Sequence, residues 1–403
     1  MRDILVPSAA YIHIPFCRRR CYYCDFPISV VGDKTLVSAS TMVEDYIAAL
    51  IKEIQLTPSA KQPLKTVFFG GGTPSLLSAK QLGQIIKAIA LHFGISSGAE
   101  ISMEIDPGTF DRDRLLGYLE IGINRISLGV QTFDEKLLKV CGRSHSLTDI
   151  MQAIDLIKQV EVANFSLDLI SGLPHQTLQH CQSSLASAIK IAPNHLSCYD
   201  LVLEPVTAFG KQYLPGKKPL PDDEDTAEMY KLTQKALTEA GYQHYEISNY
   251  AQVGYQCRHN RIYWENQPYY AFGMGAASYV NGKRFNRPRT RREYYDWLET
   301  GAVIDAPEIS STDYLLETLM LGLRLAEGIN LSQFNQETLN QIWTCLQPYY
   351  YQGWIEVTGN DGQVMTVDQD LSLLNSPARL RLNDPEGFLF SNTILAALFE
   401  KLE

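Results

Sequence analysis

The sequence predicts an α/β protein built on a partial (β/α)6 TIM-like barrel, followed by a C-terminal α+β domain that is winged-helix-like. Through the first two hundred residues, short runs of β-branched and aromatic residues alternate with longer stretches of helical periodicity. Strands that alternate with helices form parallel βα units. Six such units favour a partial barrel over the complete barrel, which needs eight. Beyond about residue 306 the pattern changes to helices around a hairpin.

The order of the barrel elements follows from these patterns. Strands are predicted at residues 10–14, 66–69, 101–105, 125–130, 165–170 and 195–203. Helices between them are predicted at residues 42–54, 79–92, 112–120, 147–159 and 178–190. Capping boxes, in which side chains satisfy free backbone donors at the start of a helix, are predicted for Thr41 with Glu44 and for Ser78 with Gln81.

Three regions are expected along the chain: a barrel core at residues 1–240, a barrel extension at 241–305 and a C-terminal domain at 306–403. Around the first boundary we predict a linker or lid at 211–221, which holds three prolines, a helix at 225–240 and a strand near 242–246. In the last region, helices are predicted at 313–325, 332–335, 337–349 and 390–402, and strands 354–357 and 363–367 form a hairpin around Asn-Asp-Gly at 360–362.

Composition limits the classes of function. The chain has 403 residues, with 35 Lys and Arg against 45 Asp and Glu, and its net charge is −10. A protein with this charge and without a long basic stripe is not expected to bind nucleic acid. The sequence has no run of roughly 18 apolar residues and no signal-peptide pattern at its start, so we expect no membrane span and a cytoplasmic location.

Three of the eight cysteines lie close together, in Cys17-Arg-Arg-Arg-Cys21-Tyr-Tyr-Cys24, directly after the first predicted strand. In a reducing compartment, such a group indicates metal or iron–sulfur ligation rather than disulfides. A closed zinc site or an ordinary cubane site needs four protein ligands, so three thiolates leave one metal position open to an external molecule. The alternative is a zinc site with a distant fourth ligand, for which His13 and Asp25 are candidates.

Other segments with polar or glycine residues follow the next predicted strands. Gly70-Gly71-Gly72-Thr73-Pro74 follows the second strand, Glu104 ends the third, Gln131 ends the fourth, and Asp168 lies on the fifth. Loops at the carboxyl ends of barrel strands converge on one mouth, so these segments are expected to meet there. Glycines let a ligand approach the backbone closely, and carboxylates can hold an ammonium group or ribose hydroxyls. Each segment could also be only a turn or a helix cap.

Together these motifs resemble the radical S-adenosylmethionine (SAM) superfamily and, within it, the oxygen-independent coproporphyrinogen III oxidase group. The narrower resemblance lies in residues 11–17, 69–74, 128–131 and 168–174, and the similarity extends over nearly the whole chain. The resemblance implies a 4Fe-4S cluster whose fourth iron is chelated by the amino and carboxylate groups of SAM. It assigns the three cluster ligands to Cys17, Cys21 and Cys24.

The resemblance also implies contacts with SAM. Tyr11, Gly71 and Glu104 match positions that hold the cluster-bound SAM. The positions that touch a second SAM in the true oxidase match Tyr23, Gly72, Thr73, Gln131, Arg143 and Asp168. Whether a second SAM binds to this chain is left open by the resemblance.

Two departures from the oxidase pattern point to a heme-chaperone branch of the same group. The oxidase has a fourth cysteine two positions after the third, where this chain has Phe26, and only 16 residues precede Cys17. In addition, His-Asn-Arg-Ile-Tyr-Trp at 259–264 matches the branch's His-Asn-x-x-Tyr-Trp heme-binding motif. The resemblance therefore implies a set of heme-binding residues, namely His259, Asn260, Tyr263 and Trp264.

The chemistry of these residue types agrees with that implication. A neutral imidazole can ligate heme iron, and Tyr and Trp rings can pack against a porphyrin face. Without the resemblance, a loop histidine hydrogen-bonded in an aromatic cluster is the simpler interpretation of His259. No Cys-x-x-Cys-His is present, so c-type attachment of heme has no support.

Six cations lie within ten residues downstream of the motif: Lys283, Arg284, Arg287, Arg289, Arg291 and Arg292. Guanidinium groups pair with carboxylates, so some of these arginines could anchor heme propionates near His259. A solvated face paired with Glu293 and Asp296 is the slightly favoured alternative.

The sequence thus predicts a heme chaperone that binds heme and transfers it to an acceptor hemoprotein of unknown identity. The cluster with its SAM is expected to be a structural or regulatory site, no catalytic residue is assigned, and radical chemistry is left open. The first alternative is an anaerobic oxidase that decarboxylates coproporphyrinogen III. The second is a radical SAM enzyme that modifies RNA, which the net charge of −10 disfavours.

Overall fold

The computed structural model describes residues 6–32, 40–359, 361–367, 371 and 378–402. Strands and helices alternate in the first half, as the hydrophobic periodicity predicts. In chain order they are β1 (Ala9–Ile14), β2 (Phe16–Cys17), β3 (Ser29–Val30), α1 (Thr41–Leu56), β4 (Leu64–Gly71), α2 (Ala79–His92), β5 (Ile95–Ile105), α3 (Arg112–Glu120), β6 (Arg125–Gln131), α4 (Glu135–Val140), α5 (Leu147–Gln159), β7 (Phe165–Ser171), α6 (Leu178–Ile191) and β8 (His195–Asp200).

Shorter elements follow in the next hundred residues. They are α7 (Ala208–Gln212), α8 (Asp223–Glu239), β9 (Gln243–Glu246), β10 (Asn249–Ala251), α9 (Arg258–Trp264), β11 (Tyr270–Phe272), β12 (Ala277–Val280), β13 (Lys283–Asn286) and α10 (Arg291–Glu299).

Strands from both groups form one nine-stranded sheet in the order β11-β1-β4-β5-β6-β7-β8-β10-β9. The six strands from β1 to β8 in this order are parallel, and β11 adds to β1 in the same direction. At the other edge, β10 and β9 are antiparallel. The six parallel strands are those that the sequence predicts, and the α/β fold class is confirmed. Residues 241–305 supply strands to both edges of this sheet.

The two predicted capping boxes have different outcomes. The box formed by Ser78 and Gln81 is confirmed at the start of α2. The box of Thr41 with Glu44 is wrong, because Thr41 already belongs to α1 and the preceding Ser40 makes no side-chain cap. Glu44 instead accepts a hydrogen bond from Nε2 of Gln81 at 2.6 Å. Its carboxylate therefore joins α1 to α2 rather than closing its own helix.

The two faces of the parallel strands carry different kinds of side chain. Successive residues of a strand point to opposite sides of a sheet. On β5, Met103 is fully buried in the main hydrophobic core, which the surrounding helices complete. Its neighbours Ser102 and Glu104 instead line a cavity on the other face. The sheet thus carries a hydrophobic core on one side and polar side chains on the other.

The C-terminal part has its own antiparallel sheet and core. Its elements are α11 (Ser311–Gly322), β14 (Ile329–Asn330), α12 (Gln336–Tyr351), β15 (Ile355–Gly359), β16 (Val364–Met365), β17 (Ala378–Leu382), α13 (Glu386–Leu389) and α14 (Ser391–Leu402). The sheet order is β14-β17-β15-β16, and a separate hydrophobic cluster packs on it. The predicted hairpin is confirmed as β15 and β16, although Asn360 in its turn lies outside the described residues. The helix predicted at 332–335 is a single 3-10 turn, Leu331–Gln333.

The segment predicted as a linker or lid lies against other parts of the barrel. Just before it, the Phe209 N–H donates to the carbonyl of Tyr22 at 2.9 Å, and within it the Pro219 carbonyl accepts from the His175 N–H at 2.6 Å. The segment is therefore tied to the turn after β7, and the residue just before it is tied to the cysteine loop. Within the described residues, no helix combines the length and the apolar character that a bilayer span requires.

A buried ion pair fastens α1 to the residues after β13. Glu53 is 0% exposed and Arg287 is 2% exposed. Nε of Arg287 lies 2.8 Å from Oε1 of Glu53. The other carboxylate oxygen accepts hydrogen bonds from the Tyr294 hydroxyl at 2.7 Å and the Gly273 N–H at 2.8 Å. One carboxylate therefore holds together α1, α10 and the chain that follows β11.

Glu53→Ala is expected to lower the free energy of unfolding by roughly 3–5 kcal/mol, because it leaves the guanidinium of Arg287 buried without a counter-charge. Glu299→Ala is the control, since it breaks an exposed ion pair with Lys52 at 2.9 Å and is expected to cost less than about 1 kcal/mol. Urea unfolding followed by circular dichroism measures both. A cost for Glu53→Ala as small as that of the control would contradict the prediction.

Candidate functional site

A cavity of about 860 Å³ begins at the carboxyl ends of the six parallel strands and extends along them as far as Arg125 and His195, the first residues of β6 and β8. The three predicted cluster ligands, Cys17, Cys21 and Cys24, line it. So does every residue predicted to contact SAM: Tyr11, Tyr23, Gly71, Gly72, Thr73, Glu104, Gln131, Arg143 and Asp168. The convergence of strand ends expected from the sequence is therefore present.

The same cavity extends to α9, which carries the predicted heme motif. His259, Asn260 and Tyr263 line its wall. Trp264 is half-buried and is not one of the described residues that line the cavity. The cysteine loop and the heme motif, which are far apart in the sequence, thus face one common space.

The cysteine loop is held in shape by short-range hydrogen bonds. β2 and β3 pair in parallel, so the loop begins and ends at the same short ladder. Inside it, the Cys24 N–H donates to the carbonyl of Cys21 at 3.2 Å. Nη1 of Arg20 donates to the carbonyls of Cys24 and Phe26 at 3.2 and 3.1 Å. Phe26, which stands where the oxidase has its fourth cysteine, is exposed and lines the cavity.

The sulfur atoms of the loop receive hydrogen bonds from residues at the strand ends. Cys17 Sγ accepts from Oγ1 of Thr73 at 3.7 Å, and Cys21 Sγ accepts from Nη1 of Arg143 at 3.3 Å. Burial raises the pKa of the Cys17 thiol to about 12 and also raises the pKa of Cys24. A bound iron centre supplies the positive charge that ionises such thiols. The donor set therefore fits an iron–sulfur cluster.

The donor geometry does not support a single zinc ion. Nδ1 of His13 lies 3.1 Å from the Tyr11 hydroxyl, and its Nε2 lies 2.9 Å from the Pro27 carbonyl. Asp25 pairs with Arg289 at 3.1 Å. Among the described residues, no three His, Cys, Asp or Glu side chains converge on a point that could hold one metal ion. A 4Fe-4S cluster does not need that convergence, because each thiolate binds a different iron.

The glycine segment at the end of β4 lies so close to β1 that it has no room for side chains. Gly71 has a φ of +104°, and a Cβ atom there would lie 2.3 Å from the His13 ring. At Gly72, a Cβ atom would lie 2.6 Å from the carbonyl oxygen of Ile14. The Gly71 N–H donates to Glu104 at 3.0 Å and the Gly72 N–H to Ile14 at 2.8 Å. Both donors are used within the protein, so neither N–H is available to a ligand.

Two half-buried carboxyl groups, those of Glu104 and Asp168, share the cavity. Burial and the nearby Asp168 raise the pKa of Glu104 to about 8. Burial also raises the pKa of Asp168 to about 6, although hydrogen bonds from Ser127 and Ser197 oppose this shift. Oγ of Ser127 lies 2.9 and 3.0 Å from the two oxygens of Asp168. Neighbouring carboxyls of this kind favour a ligand that brings positive charge or hydrogen-bond donors, as an ammonium group and a ribose do.

Arg143 joins the cysteine loop to the strand ends. Its side chain is 8% exposed and forms an ion pair with Asp106. Its Nη2 donates to the carbonyl of Gly129 at 3.2 Å, and its Nη1 reaches the hydroxyl of Tyr23 at 3.4 Å. Nε of Arg143 and Oγ of Ser102 are buried without a hydrogen-bond partner among the described residues. Both residues line the cavity, and such orphaned polar atoms indicate that a polar ligand belongs there.

Two strand ends show how the backbone shapes this wall. Gln131 has a φ of +69° and stands where the register between β6 and β7 shifts. Asp106 follows β5 directly and accepts a hydrogen bond from Oγ1 of Thr73 at 3.2 Å. Asp106 was not predicted from the sequence, although its position just after a buried strand, two residues beyond Glu104, was the signal that could have identified it.

The histidine of the predicted heme motif is buried and neutral. His259 is 0% exposed, and its ring stacks on Phe68 with centroids 5.2 Å apart. Its Nδ1 lies 2.8 Å from Oγ1 of Thr66, and its Nε2 lies 2.8 Å from the hydroxyl of Tyr263. Burial lowers the pKa of His259 to about 3. The hydrogen-bonded histidine in an aromatic cluster, the simpler interpretation of the sequence, describes this geometry, although the residue lies on a helix rather than in a loop.

The start of α9 is fixed by Glu100 of β5. Its carboxylate accepts hydrogen bonds from the N–H groups of Arg258 and His259 at 3.1 and 3.0 Å and from the Cys257 thiol at 3.7 Å. A carboxylate at this end of a helix is favoured by the helix dipole. Neither Glu100 nor Thr66 was predicted from the sequence, because they stand 159 and 193 residues away from His259.

The cations downstream of the motif are largely neutralised by acids. Arg284 binds the two carboxylate oxygens of Glu317 at 2.7 and 2.8 Å. Arg287 belongs to the buried ion pair described above. Arg292 is exposed and approaches the predicted partner Asp296 at 4.0 Å. The geometry therefore does not favour Arg284 or Arg287 as anchors of heme propionates, since both charges are already paired.

Comparison with known protein families and curated relatives agrees with the features of this site. Residues 11–188 match the Radical SAM superfamily, and residues 309–360 match the HemN C-terminal domain. The chain is 50% identical over 406 residues to the heme chaperone HemW of Synechocystis sp., covering 99% of this chain and 98% of that protein. It is 33% identical over 395 residues to the heme chaperone HemW of Lactococcus lactis, with coverage of 98% and 97%.

A solved structure shows the same fold. Coproporphyrinogen III oxidase (HemN) from Escherichia coli superposes with a TM-score of 0.79 at 20% sequence identity, covering 98% of this chain and 91% of that chain. The superfamily match agrees with the cysteine loop at the carboxyl ends of the parallel strands. The full-length identity to curated relatives then decides the branch. The chain belongs to the HemW family of heme chaperones within the radical SAM superfamily.

Proposed function

We propose that this protein binds heme and delivers it to an acceptor hemoprotein, and that a 4Fe-4S cluster with SAM in the same cavity serves this transfer. The observation that carries the proposal is the shared cavity, which is lined by the three loop cysteines on one side and by His259 on the other. The membership of this chain in the HemW family supports the same conclusion. The proposal includes a cytoplasmic location and the division into a barrel core (1–240), an extension (241–305) and a C-terminal domain (306–403).

The cluster and SAM would be held by the strand-end side of the cavity. Cys17, Cys21 and Cys24 would provide the thiolates, and the half-buried carboxyls of Glu104 and Asp168 would hold the amino group and ribose hydroxyls of SAM. The bound cluster would supply one-electron chemistry at SAM. The hydrogen bonds that already reach the sulfur atoms would tune its potential. The remaining predicted SAM contacts, Tyr11, Tyr23, Gly71, Gly72, Thr73, Gln131 and Arg143, complete the same wall.

Heme would be held by the opposite wall. The neutral imidazole of His259 is a suitable iron ligand, with Nε2 facing Tyr263 and Nδ1 facing Thr66. Asn260 and Tyr263 line the same wall, and Trp264, the last residue of α9, is half-buried. Because the histidine is part of a helix held by Glu100, its position relative to the cavity is set before heme arrives.

Replacing any one of the three loop cysteines by Ala is expected to abolish cluster binding, because a cluster with three protein thiolates has none to spare. Iron and sulfide content after anaerobic reconstitution, together with EPR of the reduced protein, measure the effect. Cys141→Ala is the matched control, because its backbone carbonyl contacts the loop at the Tyr22 N–H, 3.0 Å away, but it is not a predicted ligand. Wild-type cluster content in a loop-cysteine variant would contradict the assignment.

His259→Ala is expected to remove the Soret shift that wild-type protein shows on titration with hemin, with the cluster intact in both. His195→Ala is the matched control: His195 is also buried and lines the cavity, and its ring nitrogens lie 2.8 Å from Ser166 Oγ and from the Tyr245 hydroxyl. The control should keep the shift. Identical titrations for wild type and His259→Ala would rule out His259 as the iron ligand.

Glu104→Gln is expected to stabilise the SAM-free protein relative to wild type near pH 8 and to have little effect near pH 5. The pKa of Glu104 is about 8 in the folded protein and about 4.3 in an unfolded chain. Between these values the folded state holds an extra proton, so wild-type stability falls as pH rises through that window. Thermal unfolding from about pH 5 to about pH 8.5 tests this, with the exposed Glu120→Gln as control. A difference that stays constant with pH would contradict it.

A further inference from the structure

The imidazole of His259 is held on both sides by hydroxyl groups. Oγ1 of Thr66 lies 2.8 Å from Nδ1, and the hydroxyl of Tyr263 lies 2.8 Å from Nε2. The Tyr263 ring stands edge-on to the imidazole, with centroids 5.1 Å apart and planes at 87°. The nitrogen that heme iron would need is therefore already occupied by a phenol.

These two partners favour one tautomer of the imidazole. In a neutral imidazole, one ring nitrogen donates and the other accepts. A phenol is a better hydrogen-bond donor than an aliphatic hydroxyl, and burial keeps Tyr263 protonated by raising its pKa. The favoured arrangement has Tyr263 donating to Nε2 and Nδ1–H donating to Thr66. That tautomer leaves the lone pair on Nε2, and a neutral imidazole can bind iron through this nitrogen.

The histidine cannot move away from its partners as easily as Tyr263 can. The backbone of His259 is held by the carboxylate of Glu100 at 3.0 Å, and its ring stacks on Phe68. Tyr263 lies one turn later on α9, is only partly buried and borders the cavity. When a ligand reaches Nε2, the phenol is therefore the group that gives way.

We propose that the Tyr263 hydroxyl is an internal cap on the iron-binding nitrogen of His259, and that Thr66 selects the tautomer that the cap protects. Heme binding then exchanges one hydrogen bond for an iron–nitrogen bond, and heme release restores the cap without leaving a buried nitrogen unpaired. This inference rests on the proposed function, and it assigns to Tyr263 a part in release as well as in packing. A capped site suits a carrier, because the hydrogen bond between Tyr263 and His259 forms again in the empty protein and so favours release of heme.

Tyr263→Phe tests the cap, because it keeps the ring and removes the hydroxyl. Hemin titration and stopped-flow binding on cluster-loaded protein should show affinity tighter by roughly three- to tenfold, the value of one hydrogen bond, with slower release. Tyr269→Phe is the matched control, since Tyr269 packs edge-on to Tyr263 at 4.6 Å and also lines the cavity. It should behave as wild type. Unchanged or weaker affinity in Tyr263→Phe would overturn the cap.

Thr66 variants test the tautomer. Thr66→Val keeps the shape and removes the acceptor for Nδ1–H, so hemin affinity should fall and the Fe–His stretching frequency of the ferrous complex should drop. Thr66→Ser keeps the hydroxyl and should restore both. Equal spectra and affinities for Val and Ser at this position would refute the role of Thr66.

If His259→Ala binds hemin as wild type does, the proposed ligand fails and the cap fails with it. Loss in His259→Ala with no gain in Tyr263→Phe refutes the cap alone.

Discussion

The site depends on the contacts of one buried group, the guanidinium of Arg143. It contacts Asp106 at the end of β5, the Gly129 carbonyl on β6 and the sulfur of Cys21 in the loop. A buried cation is costly unless it is paired and hydrogen-bonded, so these partners cannot separate without a large loss of stability. The loop that supplies thiolates and the strand ends that supply carboxyls are therefore held at a fixed distance from each other.

The opposite side of the cavity is built on the same strands. The inner face of β5 carries Glu100, Ser102 and Glu104 in alternation, as the two-residue period of a strand requires. Glu100 holds the start of α9, and Glu104 faces the predicted SAM position. Four residues at about 3.3 Å each separate them by roughly 13 Å. One strand thus links the two walls, and the orphaned hydroxyl of Ser102 lies between them.

Much of the fold could be predicted because its signals are local. Each parallel strand carries its own run of apolar residues, and polar residues stand on or at the end of single strands, as Asp168 and Gln131 do. The resemblance then placed distant motifs in one site. Partners that depend on tertiary contact had no such signal: Thr66 and Glu100 are far from His259 in the sequence, and Arg284 pairs with Glu317 rather than with the nearby Glu293. Glu44 was misassigned for the same reason, because its partner Gln81 lies on the next helix.

The most direct test of a shared cavity is a crystal structure of anaerobically reconstituted protein with heme, using data collected at the iron absorption edge. The expected anomalous map has the four irons of the cluster beside the thiolates of Cys17, Cys21 and Cys24, and a separate heme iron bonded to Nε2 of His259 with the Tyr263 hydroxyl displaced. Heme iron located outside this cavity, with the His259–Tyr263 hydrogen bond intact, would contradict the shared site.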